Sequence, residues 1–427
     1  MDILILFGSL AVFLVLSVPI GIALGLATLL TIATCSNIPV ILVAQNAFAG
    51  LDSFPLLAIP FFMLAGSLMT YGGISRRLVE LAECLVGFII GGLAMITVVA
   101  CMFFGAISGS GPATVSAIGS FMVPLMKEKK YNGGFAAALI ASAGTIGVII
   151  PPSIPFVIYG VVSGVSVGDM FIAGIIPGIT IGIALILLSY VIAKKENYPR
   201  QSEFPTIGKF LRVLRDSIWA LLVPVIIMGG IYGGVFTPTE AAVAASVYAL
   251  FIGKFVYKEL NWQSIYDAFK DAMTVNAATT FMIGLSTSFA AYLAMEQIPV
   301  KIGQFILTQA DSRVIVFLMV NAMFLVVGCF VDNISSTIIL TPIFLPVVTQ
   351  LGMSPIQYGI MMTFALAIGF VTPPYGCNLF VASAISGESV ESISKHLIPF
   401  ILVMVFVLGL FTFIPGFSTA LLPVGRY

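Results

Sequence analysis

The sequence predicts an all-α polytopic membrane protein made of two inverted repeats, each with about five spanning helices, one of them proline-broken, and a re-entrant helical hairpin. Three observations predict it: an apolar composition, clustered basic residues and a repeated spacing of prolines. Of the 427 residues, 60% are hydrophobic and 8% are charged, and the mean hydropathy is +1.15. A soluble domain carries about 25% charged residues. The composition therefore predicts a chain whose outer surface faces the lipid bilayer.

The composition also excludes other classes of protein. The formal net charge is zero and no basic stretch alternates with aromatic residues, which argues against binding of nucleic acid. The five cysteines lie in or beside apolar segments and form no CxxC pair, so neither a disulfide scaffold nor a structural zinc site is expected. We expect no organic cofactor and no enzymatic activity.

Basic residues mark the predicted cytoplasmic side. Fifteen of the 18 lysines and arginines fall into five clusters, which the positive-inside rule assigns to the cytoplasm. Given that a spanning helix needs about 20 apolar residues, the expected later spans are 133–163, 170–193, 217–236, 238–253, 273–295, 354–386 and 397–422. Residues 3–34 form either one kinked helix or two short helices, and two helices would give each repeat five spans. Residues 38–51 and 258–271 are expected to be interfacial arms.

Two uncharged segments predict hairpins that enter the membrane and return to the same side. The first, 84–126, lies between two cytoplasmic clusters and is interrupted by the glycines, serines and proline of 105–112. Because the return leg then has only 14 residues, a re-entrant hairpin fits better than two spans. The second, 314–350, has a polar tip at 331–336 and is expected to enter from the opposite side.

An internal repeat supports this topology. Pro124, Pro151, Pro152 and Pro177 recur 222 positions later as Pro346, Pro373, Pro374 and Pro399. We expect a first repeat at 1–193, a cytoplasmic linker at 194–216 and a second repeat at 217–427. Each repeat combines a hairpin with a helix that is broken by prolines, over 133–163 and 354–386. Inverted repeats with discontinuous helices near the membrane midplane are the architecture of secondary transporters.

Hydrogen bonding explains why such breaks indicate a binding site. Non-helical backbone at membrane depth is tolerated only where it is buried in protein or lines a polar cavity. Carbonyl groups freed at a break can coordinate a cation, and the amide ends of half-helices favour an anion. We therefore expect a cation and an anionic substrate to share one region of the fold.

Three motifs in these interruptions resemble those of a known family. They are GAISGSGPAT at 105–114, IPPS at 150–153 and TPPYG at 372–376. Together they resemble the large membrane subunit of tripartite ATP-independent periplasmic (TRAP) transporters, over essentially the whole chain. The sequence looks closest to the sialic-acid branch, although the dicarboxylate branch shares these motifs.

The resemblance implies a mechanism and partners. Family members resemble elevator transporters of the bacterial inner membrane, in which a domain holding both hairpins slides against a scaffold. They use a sodium gradient and receive a carboxylate-bearing organic anion, here sialic acid, from a periplasmic substrate-binding protein. They also need a small four-helix membrane subunit, which must come from a separate chain.

The predicted ion and substrate residues lie at the hairpin tips and the breaks. A first sodium site would use Ser108 with the carbonyls of Gly144, Val148 and Pro151. A symmetric second sodium site would use Gly328, Asp332, Gly369, Thr372 and Tyr375. Substrate contacts are expected from Ser110, Ser153, Asn333, Ser335 and Asn378.

Asp332 is the acidic residue of interest because it is the only one between Asp311 and Glu388. An intramembrane carboxylate is a functional hypothesis by default. The alternative is that it caps the return helix of the second hairpin. As a functional residue, Asp332 would contact either sodium or substrate.

Other functions remain as alternatives. A C4-dicarboxylate TRAP subunit and a self-sufficient sodium/dicarboxylate carrier share the predicted architecture. An intramembrane serine protease with Ser108 or Ser110 as nucleophile would need a base, and His396, the single histidine, lies at a predicted membrane boundary. A passive channel is disfavoured because two hairpins that close from opposite faces suit alternating access.

Overall fold

The computed structural model describes residues 2–16, 18–36, 38–201, 203–309, 312–374 and 376–422. The helices of these residues are α1 (Asp2–Val15), α2 (Ile20–Cys35), α3 (Ile41–Leu51), α4 (Ala58–Tyr71), α5 (Ile74–Val86), α6 (Gly92–Ser108), α7 (Gly111–Glu128), α8 (Gly133–Gly144), α9 (Ile154–Ser163), α10 (Val167–Lys195), α11 (Ile207–Tyr232), α12 (Pro238–Phe251), α13 (Trp262–Met295), α14 (Ile298–Gln309), α15 (Arg313–Gly328), α16 (Asn333–Gln350), α17 (Pro355–Gly369), α18 (Cys377–Ser386), α19 (Val390–Phe413) and α20 (Gly416–Thr419).

Six helical segments of the described chain are long and apolar enough to cross a membrane by length and composition. They are Phe54–Tyr71, Val167–Lys195, Pro238–Val256, Trp262–Met295, Asn333–Gln350 and Val390–Phe413. Several others, including α8, α9, α17 and α18, are apolar but shorter. A hydrocarbon core of about 30 Å needs about 20 helical residues, so these short helices cannot span it alone. The all-helical, multi-pass fold class agrees with the prediction.

The chain begins with two short helices. α1 ends at Val15 and α2 begins at Ile20, with Pro19 at the N-cap position. A proline is tolerated there because its missing N–H has no helical partner at a helix start. Of the two alternatives for residues 3–34, one kinked helix or two short helices, the structure has two helices.

Several boundaries differ from those expected. The arm expected at 258–271 is instead the first part of α13, which runs for 34 residues from a cap in which Asn261 Oδ1 accepts from the amide of Ser264 at 2.7 Å. No proline or glycine interrupts α13 before Gly284, so the helix continues from the interface into the span. Likewise α11 begins at Ile207, so half of the linker expected at 194–216 is helical. The Thr206 hydroxyl caps this helix.

The expected hairpins correspond to α6 with α7 and to α15 with α16, and the two helices of each pair pack on one another. The turn of the first passes through Gly109, whose φ is +62°. A β-carbon at this position would lie 2.7 Å from the carbonyl oxygen of Pro152. Only glycine satisfies both the left-handed backbone and the close approach. α7 and α16 start and end 222 positions apart.

Each expected broken helix is also a pair of short helices. α8 continues as a tight turn over Thr145–Val148, leaves helical geometry and resumes as α9. α17 ends at Gly369 and the chain resumes as α18 at Cys377. The Pro151–Pro152 and Pro373–Pro374 bonds are both cis.

The helices pack into two groups. We call α6–α10 with α15–α19 the core group; in it, α8 packs on α7, α18 and α19, and α17 on α10, α15, α16 and α19. We call α1–α4 with α11–α13 the flanking group; in it, α13 packs on α2, α3 and α4, and α4 on α12. The second halves of the broken helices cross between the repeats, because α9 packs on α16 and α18 on α7. The two breaks are thereby held close to the two hairpins.

Candidate ion and substrate site

The tip of the first hairpin is a compact hydroxyl network. Ser108 Oγ lies 3.1 Å from Thr114 Oγ1, and Thr114 Oγ1 donates to the carbonyl oxygen of Ser110 at 2.8 Å. Ser108 is buried and Ser110 is half-buried. Thr114 was not among the predicted site residues. Its position four residues after Ser110, one helical turn away, is the sequence signal that could have identified it.

This tip touches the first break through backbone atoms. The amide of Ile154 donates to the carbonyl oxygen of Gly109 at 3.2 Å. A β-carbon at Gly147 would lie 2.8 Å from the carbonyl oxygen of Ser110, and one at Gly105 would lie 2.9 Å from Gly147 Cα. Glycines therefore allow the hairpin and the break to approach within direct backbone contact.

Asn378, a predicted substrate residue of the second repeat, lies at this first hairpin. Its Nδ2 donates to the carbonyl oxygen of Ala141 at 3.1 Å, and its buried Oδ1 has no hydrogen-bond partner. A β-carbon at Gly111 would lie 3.1 Å from this Oδ1 and 3.3 Å from the carbonyl oxygen of Gly144. An unpaired amide oxygen thus lies beside a carbonyl of the predicted first sodium site.

Ser153 lies inside the break rather than in an open space. Its Oγ donates to the carbonyl oxygen of Val148 at 2.6 Å and accepts from the amide of Phe156 at 3.3 Å. The side chain is fully buried. Ser153 therefore caps α9 and holds Val148, a predicted sodium ligand, next to Pro151.

Asp332 caps the return helix of the second hairpin. One carboxylate oxygen, Oδ2, accepts from the amides of Ile334 at 2.8 Å and Ser335 at 3.0 Å. The other oxygen, Oδ1, is buried and has no hydrogen-bond partner. The capping role therefore uses one oxygen and leaves the second available to a ligand.

Two other polar residues of this tip, Asn333 and Ser335, are held by neighbouring helices. Asn333 Nδ2 donates to the carbonyl oxygen of Thr363 at 3.1 Å. Ser286 Oγ of α13 donates to Ser335 Oγ at 3.2 Å. Ser335 thus joins the core group to the flanking group. Sequence reasoning missed Ser286, which no motif marks.

Gly328 and Gly369 bring the second hairpin and the second break together. A β-carbon at Gly369 would overlap the backbone of Gly328, as expected for two helices in direct contact. Thr372 Oγ1 donates to the carbonyl oxygen of Ile368 at 2.9 Å. Tyr375, the last predicted ligand of this site, lies outside the described residues.

A cavity of about 270 Å³ opens between the first hairpin and the flanking group. Its polar lining consists of Ser67, Thr70, Tyr71, Ser108, Ser110, Ser116 and Asp271. Two of these, Ser108 and Ser110, were predicted site residues. The residues of α4 and α13 were missed, because only the packing of α4 on α6 and of α13 on α4 brings them there.

The N-cap residues of α7 and α16 differ in charge. The N-terminus of α16 is capped by the Asp332 carboxylate, whereas Ser110, at the same repeat position, makes no side-chain cap for α7. Ser110 and Ala113, from the first turn of α7, line the cavity. An uncapped helix N-terminus favours an anion. The cavity therefore presents an anion-attracting end at Ser110.

The chain matches, over residues 7–417, a family model described as the DctM component of the tripartite ATP-independent periplasmic transporter. The chain belongs to this family. Like other DctM components, it is thus one part of a multi-pass membrane permease.

Relatives of this DctM-family chain carry different substrate names. It is 46% identical, over 96% of its length, to the isethionate TRAP transporter permease protein DctMQ of Oleidesulfovibrio alaskensis, of which it spans 65%. It is 39% identical to the C4-dicarboxylate TRAP transporter large permease protein DctM of Pseudomonas aeruginosa, over 93% of each chain. It is 36% identical to the sialic acid TRAP transporter large permease protein SiaM of Vibrio cholerae, over 95% of this chain and 94% of that one. The sialic-acid branch is therefore not singled out.

A solved structure shows the same fold at low sequence identity. The crystal structure of the Alcanivorax borkumensis YdaH transporter superimposes with a TM-score of 0.63 and 14% identity, covering 89% of each chain. At this identity the likeness concerns the fold alone. The fold of the DctM-family chain is thus one that a transporter uses.

Proposed function

We propose that this chain is the large subunit of a sodium-coupled importer of a carboxylate-bearing organic anion in the bacterial inner membrane. One observation carries the proposal: each hairpin and break encloses a buried side-chain oxygen without a partner, Oδ1 of Asn378 in one and Oδ1 of Asp332 in the other. A buried unpaired oxygen costs about 1–3 kcal/mol. A bound cation would offset that cost.

The oxygen donors at both places suit a sodium ion. Unwound backbone carbonyls coordinate sodium in transporters with broken helices. The first site would combine Ser108 with the carbonyls of Gly144, Val148 and Pro151. The side-chain amide of Asn378 lies next to Gly144, so its unpaired Oδ1 is proposed as an additional ligand. The second would combine Asp332 Oδ1 with oxygens of Gly328, Gly369 and Thr372, and with Tyr375. We therefore propose at least two sodium ions per transport cycle.

The substrate carboxylate is proposed to bind at the N-terminus of α7 beside Ser110. This position is close to the first sodium site, so a bound cation and the helix end would both favour the anion. Ser153, Asn333 and Ser335 are occupied by neighbouring groups, and their substrate contacts stay predictions. Sialic acid (N-acetylneuraminate) is the proposed substrate, with a C4-dicarboxylate as the alternative that the relatives' names support.

Transport is proposed to follow an elevator mechanism. The core group contains both hairpins and both breaks, and the flanking group contacts it along α4 and α13. The two groups correspond to a transport domain and a scaffold. A small four-helix membrane subunit would extend the scaffold, and a periplasmic substrate-binding protein would deliver the anion.

The test is uptake of labelled sialic acid into proteoliposomes that contain this chain and its small subunit. Uptake is measured with and without an inward sodium gradient and with and without the binding protein. Uptake that requires both additions is the expected result. Uptake without the binding protein would instead indicate a self-sufficient carrier, and uptake without sodium would contradict sodium coupling.

A further inference from the structure

The cavity beside the first hairpin contains one carboxylate opposite the anion-attracting helix end. Asp271 of α13 is in the lining, and the hydroxyl of Tyr71 donates to Asp271 Oδ2 at 2.7 Å. Among the described residues that form this lining, there is no lysine or arginine. The cavity therefore has no side-chain cation that would receive a second negative charge.

The surroundings of Asp271 do not neutralise its charge. In the described part of the chain, the ion pairs are Arg76–Glu80, Arg77–Glu259, Lys127–Glu388 and Lys395–Glu391, and none includes Asp271. Asp267 lies one helical turn earlier on α13 and adds a second negative charge nearby. Lys270 is adjacent in sequence and, like Asp271, exposed, but it does not line the cavity.

The remaining polar lining near Asp271 consists of uncharged hydroxyl groups. Ser67, Thr70 and Ser116 line the same cavity, and each hydroxyl both donates and accepts. Asp271 accepts hydrogen bonds but has none to donate when ionised. A ligand hydroxyl therefore fits beside Asp271, whereas a ligand carboxylate would be repelled.

We infer that Asp271 makes this cavity select a monoanionic, hydroxyl-bearing organic acid over a dianion. The inference rests on the proposed function, because it takes the cavity as the substrate site. The carboxylate of the ligand lies at Ser110, its hydroxyls face Thr70 and Tyr71, and one of them donates to Asp271. A second carboxylate at that end would lie inside the cavity against a like charge that the Tyr71 hydroxyl holds in place. The expected discrimination is about tenfold or more.

The test compares two ligands that differ by one charge. Gluconate and glucarate are six-carbon polyhydroxy acids, and gluconate has a terminal hydroxymethyl group where glucarate has its second carboxylate. Each is titrated against the purified complex of this chain with its small subunit, with saturating sodium, in competition with labelled N-acetylneuraminate. Wild type is expected to bind gluconate at least about tenfold more tightly than glucarate. Asp271→Asn is expected to bring the two affinities within about threefold, chiefly by strengthening glucarate binding.

Two further variants make the result specific. Asp267→Asn removes the same charge from the same helix, outside the cavity lining, and is expected to keep the wild-type preference. Asp271→Ser repeats the loss of charge in case Asp271→Asn does not fold. A wild type that binds glucarate as tightly as gluconate would overturn the inference, and so would a preference that survives both substitutions of Asp271.

The same titration separates this inference from the proposed function. If labelled N-acetylneuraminate binds only with sodium, the proposed function is supported whatever the gluconate preference. If N-acetylneuraminate does not bind but direct titration shows the gluconate preference and its loss in Asp271→Asn, the proposed substrate is wrong and the selectivity stands. Binding of none of the three anions would overturn both.

Discussion

Asn378 and Ala141, 237 residues apart, are joined by a hydrogen bond of 3.1 Å from Nδ2 to the carbonyl oxygen. The residue 222 positions after Ala141 is Thr363, and its carbonyl also accepts from an asparagine, Asn333, at 3.1 Å. The equivalent carbonyl in each repeat thus accepts from an asparagine of a different element. In the first repeat the donor, Asn378, follows the second break, and in the second repeat the donor, Asn333, lies at the tip of the second hairpin. The repeats are alike in backbone and unlike in their polar side chains.

Asn378→Ala is expected to weaken the sodium dependence of uptake. The substitution removes the unpaired Oδ1 beside Gly144, and a hydrogen-bond or ligand interaction with a charged group contributes about 1.5–3 kcal/mol. The sodium concentration for half-maximal uptake should therefore rise about ten- to hundredfold. Asn321→Ala is the matched control, because Asn321 of α15 also has a buried unpaired Oδ1 but its Nδ2 donates to Thr412, away from both breaks. Equal sodium dependence in Asn378→Ala and wild type would contradict the assignment.

Asp332→Asn is expected to abolish sodium-driven uptake while the complex still assembles. An asparagine oxygen can accept from the amides of Ile334 and Ser335 as Oδ2 does, so the helix cap is kept. The charge and the free oxygen are lost. Asp332→Ala additionally removes the cap, which costs about 1 kcal/mol, and should lower the unfolding temperature of the purified complex where Asp332→Asn does not. Normal sodium-driven uptake by Asp332→Asn would remove Asp332 from the mechanism.

The sequence could predict the breaks because their causes are local. A proline removes a helical donor wherever it stands, so Pro151 and Pro373 mark the breaks without knowledge of the fold. A glycine-rich turn such as 108–112 similarly ends a helix from within its own residues. The all-helical membrane class, the hairpin tips and the candidate serines of the first tip follow from such local signals.

The cavity could not be predicted because its causes are not local. Tyr71 and Asp271 are 200 residues apart, and Ser286 belongs to a helix whose sequence shows no break or motif. A single sequence contains no signal that pairs such positions. The start of α13 was misplaced for a related reason: an amphipathic interfacial segment and the first turns of a longer helix share one periodicity.

Gly109→Ala is expected to destabilise the first hairpin more than a comparable substitution elsewhere. Gly164→Ala is the control, because Gly164 has a φ of +75° and open space around its β-carbon position. Both variants incur the left-handed backbone cost of about 1–2 kcal/mol. Gly109→Ala also forces a contact with the Pro152 carbonyl, which adds about 1–3 kcal/mol. Thermal unfolding of the purified complexes measures the difference, and equal melting temperatures would show that the tip relaxes freely.

A disulfide between positions 286 and 335 is expected to stop transport reversibly. Ser286 belongs to the flanking group and Ser335 to the core group, and their hydroxyl oxygens are 3.2 Å apart. The two side chains are therefore in direct contact, as a disulfide between these positions requires. In a background without the five native cysteines, the double variant Ser286→Cys with Ser335→Cys should lose uptake on oxidation and regain it on reduction. Each single variant, treated with the same oxidant, is the control. If the oxidised double variant, shown to be cross-linked, transports at the rate of its reduced form, the two groups do not move past each other at this contact and the elevator proposal is wrong there.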